Sequence, residues 1–117
     1  MNKAMTGVEW HAAVGERDGY RCAASRHHKQ CNGGYAECHH LVFLPFLCKP
    51  ARYLIENGIA LSQYCHILAH ATHNGNIEKG RLDAAVEKVN AVTEEFNSHR
   101  GKGVQTRKEF SRKGIVE

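Results

Sequence analysis

Apolar positions recur every three to four residues in three stretches of this chain, and turns rich in Gly, Asn and Pro separate them. That spacing argues for amphipathic helices joined by short extended segments. Thr6-Gly7-Val8-Glu9 has the spacing of a capping box, in which the Thr hydroxyl and the Glu carboxylate satisfy each other's free backbone N–H groups. A short helix to about Arg17 follows, with Trp10 and Val14 four apart on its buried stripe and Asp18-Gly19 as its stop. Residues 20–23 are strand-like, residues 25–35 form a polar loop ending in Asn32-Gly33-Gly34, and residues 36–43 read as the returning strand of that hairpin. Pro45 and Pro50 bracket an irregular apolar loop, Phe46-Leu47-Cys48, and residues 51–56 suit one or two turns of helix closed by Asn57-Gly58. Residues 59–61 read as a brief buried strand, after which Ser62 caps a helix from residue 63 to about 72 that ends near Asn74-Gly75. The longest periodic segment runs from residue 78 to about 97, with Leu82, Ala85, Val86, Val89, Val92 and Phe96 on one stripe, and is a packing helix.

Mixed short strands and helices of this kind predict an α+β fold. At 117 residues the chain is one domain, and 42% hydrophobic and 24% charged residues with two prolines exclude disordered and fibrous classes. No apolar run approaches the ~18–20 residues of a membrane span, and the first residues lack the apolar core of a secretory signal, so a cytoplasmic location without a membrane partner is expected. Charge divides the chain further. Residues 1–98 hold ten basic and ten acidic side chains, whereas residues 99–117 hold six basic and two acidic. The division is therefore a domain over residues 1–98 and a basic C-terminal arm over 99–117.

Five cysteines, an odd count, suit metal ligands or buried thiols better than a disulfide framework, and nine histidines exceed what a surface of this size needs. His66 and His70, spaced i, i+4 on the expected helix, put both imidazoles on one face, as two ligands of one metal require. Alone, that spacing also suits solvated histidines. Cys38-His39-His40-Leu41 adds a strand, where neighbouring side chains point to opposite faces, so one imidazole can face a metal while the next is free to move protons. A neutral imidazole, with an unperturbed pKa of ~6.5, is matched to taking a proton from water near pH 7. A metal at the same site would neutralise a phosphate and stabilise a leaving alkoxide, which is the plan of a phosphodiesterase. Asn57, nine residues before His66, would hold the loop or orient His40 through its amide.

The pattern Arg17-Asp18-Gly19-Tyr20-Arg21-Cys22, then Glu37-Cys38-His39-His40-Leu41-Val42, then Glu56-Asn57-Gly58-Ile59-Ala60-Leu61, then Cys65-His66-Ile67-Leu68-Ala69-His70 resembles the HNH endonucleases. The resemblance covers residues 10–73, with the family's order and spacing. It implies a small ββα-metal (His-Me finger) core, a hairpin and one helix holding a single divalent cation, flanked by an N-terminal helix and a C-terminal packing helix. It implies His39, His66 and His70 as metal ligands, His40 as general base, and Asn57 as the middle residue that positions the loop and the base. The implied reaction is hydrolysis of a DNA phosphodiester to 5′-phosphate and 3′-hydroxyl ends, with Mg, Mn, Zn or Ni as cofactor.

Many members of that family carry two Cys-x-x-Cys pairs that hold a structural zinc, one beginning where Cys22 stands and one ending where Cys65 stands. Here the partners are Ser25 and Ser62. A closed zinc site would draw on Cys22, Cys31, Cys38 and Cys65, or on one of His27 and His28 as substitute, while Cys48 reads as a core thiol. Double-stranded DNA is the expected partner, RNA is left open, and one catalytic centre per chain makes a double-strand break the work of a homodimer or of two nicks. Phosphate contacts are expected from Arg21 and from Arg100, Lys102, Arg107, Lys108, Arg112 and Lys113 of the arm, where Phe110 would anchor or wedge. His73 is a secondary candidate ligand. Two other readings compete: a zinc-stabilised DNA-binding module without turnover, and a Cys/His hydrolase using Cys38 or Cys65, for which no cue lowers a thiol pKa.

Overall fold

The computed structural model describes residues 5–43 and 47–100, with the side chains of residues 99 and 100 left aside. Helix α1 spans Gly7–Arg17, strand β1 Glu37–His40, helix α2 Lys49–Arg52, strand β2 Gly58–Leu61, helix α3 Gln63–Ala71 and helix α4 Lys79–Arg100, with a 3-10 turn at Ile55–Asn57 before β2. A two-stranded antiparallel sheet packed by helices is an α+β arrangement, as expected. No helix among the described residues is long and apolar enough to cross a membrane.

Local chemistry starts both functional helices where the sequence places them. Thr6 Oγ1 accepts from the Glu9 N–H at 3.1 Å while Glu9 Oε1 accepts from the Thr6 N–H at 2.9 Å, closing the capping box of α1. Ser62 Oγ accepts from the Cys65 N–H at 3.2 Å at the head of α3. Trp10 and Val14 are fully buried beneath α1, against Cys38 and Ala60 of the sheet. Their approach to the sheet makes residue 58 a glycine: a Cβ there would lie 2.6 Å from both Trp10 Cζ2 and Val14 Cγ2.

The strand pairing differs from the expected hairpin. Residues 20–23 do not pair with residues 36–43. Gly19 and Tyr20 both take positive φ, 69° and 56°, which turns the chain out of α1 sharply and breaks the extended run. What remains is one isolated bridge, Arg21 to Gly34, and a hydrogen bond from the Ala23 N–H to Ala60 O at 2.9 Å. The partner of β1 is β2, in the register Glu37↔Leu61, Cys38↔Ala60, His39↔Ile59, His40↔Gly58. β2 wins because all four of its residues are buried, with Ile59 and Leu61 in the larger core and Ala60 in the smaller one under α1.

Residues 41–57, between the strands, carry α2 and the 3-10 turn. α4 packs on these through Ala85, Val86 and Val89, the middle of its expected stripe. Asp18, at the end of α1, ties the layers together. Its carboxylate accepts from the Ala60 N–H at 2.9 Å, from Arg17 at 2.8 Å and from Arg81 of α4 at 3.3 Å. Burial opposes its ionisation, but these donors hold the carboxyl below the usual range.

Candidate metal centres

Among the described residues, two separate clusters of side chains could each hold a metal ion: His39, His66 and His70, and Cys22, His27, Cys31 and Cys65. In each, the ligand atoms all lie within 4.8 Å of one another.

The histidine cluster is built by β1 and α3. Pleating puts Glu37 and His39 on the face of β1 that looks toward α3, and Cys38 and His40 on the face that looks toward α1. His39 is 5% exposed, and its ring centroid lies 4.9 Å from those of both His66 and His70. The Nε2 atoms of His66 and His70 are 3.2 Å apart. A tetrahedral site with metal–nitrogen bonds of ~2.0–2.1 Å has edges of roughly 3.3 Å, so this spacing needs little adjustment to take a cation.

Hydrogen bonds fix which nitrogen of each ring is available. His66 Nδ1 is bonded to the Glu37 carboxylate, which directs Nε2 toward His70. Asn74 donates from Nδ2 to the carbonyl of Leu41 at 3.1 Å, so the oxygen of its amide is the atom that meets His39 Nε2 at 2.7 Å. His39 Nε2 must then carry the proton, and the lone pair stands on Nδ1. Burial chiefly, with His66, His70 and His40 nearby, lowers the His39 pKa to about 4 against the pull of Asn74, so the ring is neutral and ready to ligate at pH 7.

His40 sits on the other face, stacked on Trp10 with ring centroids 4.2 Å apart and planes 12° from parallel. Trp10 is itself fixed by an Nε1–H bond to Leu54 O at 2.8 Å. Burial, then His11, Arg52 and His66, bring the His40 pKa down to about 4. His40 nevertheless lines the same open cleft, of about 260 Å³, as His39, His66 and His70, beside the exposed Phe43. Asn57 is fully buried and does not reach the His40 ring. Its Oδ1 accepts from the Val42 N–H at 2.7 Å and its Nδ2 donates to Val42 O at 3.0 Å, so it pins the backbone two residues past His40.

The cysteine cluster joins the loop after α1 to the head of α3. Cys31 Sγ lies 3.4 Å from His27 Nδ1, Cys65 Sγ lies 3.7 Å from the same atom, and Cys22 completes the group. Burial resists ionisation of Cys31, but hydrogen bonds from Ser62, Gly33 and His27 outweigh it and draw the thiol down to about 6. Cys65 goes the other way, pushed up by burial and by the thiols of Cys22 and Cys31. Cys38 is not in this cluster. It lies against Tyr35 Oη and His11 O, each at 3.6 Å, and burial pushes its thiol up. A raised pKa at both Cys38 and Cys65 argues against either as a nucleophile.

Arg21 is exposed and outside the histidine cleft, and Ser25 donates to Asn76 O at 3.0 Å. His73, at a φ of 53°, borders a neighbouring part of the cleft without joining the ligand group. The Arg100 side chain, Lys102, Arg107, Lys108, Phe110, Arg112 and Lys113 lie outside the described residues. The sequence reading assigned no role to Glu37 or Asn74 and no chemistry to Trp10. For Glu37 a signal existed, because it stands two residues from His39 on one strand and shares its face; for Asn74 none did, since it reads as an ordinary helix stop. No protein-family model, curated protein or solved structure matches the chain.

Proposed function

We propose that this chain is a metal-dependent endonuclease of the HNH type, with a ββα-metal core made by β1, β2 and α3, that hydrolyses phosphodiester bonds in DNA. The observation that carries the reading is the pairing of three convergent imidazoles with a fourth, His40, held on the opposite face of the same strand yet open to the same cleft. His39, His66 and His70 would hold the cation. A divalent cation held there would supply charge neutralisation to the phosphate and its leaving oxygen. His40, neutral and without a bond to any metal, takes a proton from the attacking water as the water oxygen bonds to phosphorus and the bond to the 3′ oxygen breaks. Trp10 keeps the His40 ring from turning, and Asn57 keeps the following backbone in place. Glu37 and Asn74 act through the ligands that they orient.

The test is conversion of supercoiled plasmid by the full chain with Mg, Mn, Ni or Zn, against a chelator and beside a single-stranded RNA substrate. Metal-dependent nicking or linearisation is expected, with a loss of roughly 10²–10⁴-fold in His40→Ala at unchanged metal affinity. His66→Ala and His70→Ala should instead weaken metal binding itself. The competing reading, a DNA-binding module without turnover, draws support from the four-residue cysteine cluster. It predicts salt-sensitive DNA binding and no cleavage with any metal, and that result would overturn the nuclease assignment.

A further inference from the structure

We propose that Phe43 is a stacking platform for one nucleobase beside the scissile phosphate, and that the chain therefore prefers unpaired DNA strands to intact duplex; this rests on the endonuclease reading of the same cleft. Among the described residues, the large apolar side chains that stand exposed are Val8, Tyr20, Phe43, Tyr64 and Ile67. Single exposed apolar residues are ordinary on a protein surface. Phe43 differs from the others because it alone of them lines the cleft shared by His39, His40, His66 and His70. It also lines the neighbouring part of that cleft, bordered by Leu41, Ala69, His73 and Asn74.

Phe43 is 63% exposed although the two residues before it, Leu41 and Val42, are buried. The backbone that carries it is held from both sides. Leu41 donates its N–H to Asn57 O at 3.0 Å and accepts from Asn74 Nδ2 at 3.1 Å, and Val42 exchanges a pair of hydrogen bonds with the Asn57 amide. An apolar ring presented to water by a backbone this constrained is already placed, so little ordering is needed when a ligand meets it. The Phe43 ring centroid lies 5.9 Å from that of His40, with the planes 49° apart. A flat group resting on Phe43 therefore lies beside the proposed general base, where the nucleoside next to the attacked phosphate belongs. Every nucleobase has a π-face, which is open in a single strand and covered by its neighbours in a duplex. Stacking of this kind tolerates any base, so the selection is for the state of the strand and not for its sequence.

The experiment uses the full chain and its Phe43→Ala, Phe43→Leu and Phe43→Trp variants. Binding is read by fluorescence anisotropy, without added metal, on an oligothymidylate, on an abasic deoxyribose-phosphate chain of the same length and on a hairpin duplex. The abasic chain keeps the phosphates and their charge-driven contribution, and removes the bases alone. Phe43→Ala and Phe43→Leu should each weaken oligothymidylate binding by roughly 5–150-fold, the usual range for losing one base stack, while Phe43→Trp keeps it. Wild type and all three variants should bind the abasic chain alike and the duplex alike. With Mn²⁺, wild type should cut the oligothymidylate faster than the duplex, and Phe43→Ala should narrow that gap. Equal binding of oligothymidylate and abasic chain by wild type, a Phe43→Leu variant as tight as wild type, or losses of the same size on duplex and single strand would each overturn the platform. Cleavage is scored separately from binding. No cleavage of any strand, with the binding differences present, removes the nuclease and leaves the base contact; equal cleavage of duplex and single strand, with no binding differences, removes the platform and leaves the nuclease.

Discussion

Asn74 is buried, takes a φ of 65° and spends both ends of its amide on β1 and the residue that follows it, one on His39 and one on the Leu41 carbonyl. Removing it frees the His39 ring to rotate and to exchange tautomers. Asn74→Ala and Glu37→Gln are each expected to lower the affinity of the histidine cluster for Ni²⁺ by roughly 10–100-fold, the usual cost of losing a partner behind a metal ligand. Competition against a chromophoric chelator measures this, and equal affinity in both variants would remove the orienting roles. At this scale much was legible beforehand. The Thr6–Glu9 box, the Ser62 cap, the i, i+4 histidines and the opposed faces of His39 and His40 all follow from rules that act within four residues. Asn74 escaped because it acts on His39, 35 positions away, and nothing local marks such a partner, and for the same reason the sequence offers His27 and His28 as substitutes for a cysteine without choosing the one that reaches Cys65.

Helix α1 and β2 meet at one contact with no slack, since a methyl group on residue 58 would intrude on Trp10 and Val14. Gly58→Ala is therefore expected to destabilise the protein by about 1–3 kcal/mol, the usual cost of overpacking a filled core. Urea denaturation reads this as a lower midpoint at constant slope, and an unchanged midpoint would mean that α1 can lift off the sheet without cost. The substitution should also disturb the His40 stack, because Trp10 is the surface on which that ring rests. The limits of α1 and α3 were read closely from the sequence, but the helix expected over residues 51–56 is divided between α2 at Lys49–Arg52 and the 3-10 turn at Ile55–Asn57, and the strand pairing was not read. Residues 20–23 and 36–43 have the alternation and the intervening turn signal of a hairpin, and a local rule has no access to the competing partner at residues 58–61. The buried character of β2 on both faces decided the contest, and its other neighbours, α1 and α3, come from both sides of it in the chain.

Across the whole molecule, buried neutral histidines tie stability to pH. His39 and His40 titrate near 4 in the folded metal-free protein and near 6.5 when unfolded, so the unfolded chain binds more protons between those limits. Stability contributed by the two groups is complete above about pH 6.5 and is lost as pH falls toward 4. The lowered Asp18 pKa acts in the same direction at more acid pH. In chelator, the urea midpoint is expected to drop steadily from pH 7 to pH 4.5, and to drop less in a His40→Phe variant. A flat profile over that interval would contradict the burial that sets both values.

Cys65 and His66 are consecutive residues of α3, one turned into the cysteine cluster and the other into the histidine cluster. A rotation of the helix about its axis moves both donors together, so two chemically unlike sites share one mechanical degree of freedom. Whichever ion binds first removes that freedom at its own expense, and the second binds to a helix already set. Thermodynamic reciprocity then makes the enhancement equal in both directions. Zinc in the cysteine cluster should tighten Ni²⁺ binding at the histidines by the same factor as Ni²⁺ tightens zinc, which paired calorimetric titrations of the wild-type chain can compare. Unequal factors would mean that the two sites do not share a single closed binding cycle, and factors of one would mean that α3 is rigid before either ion arrives.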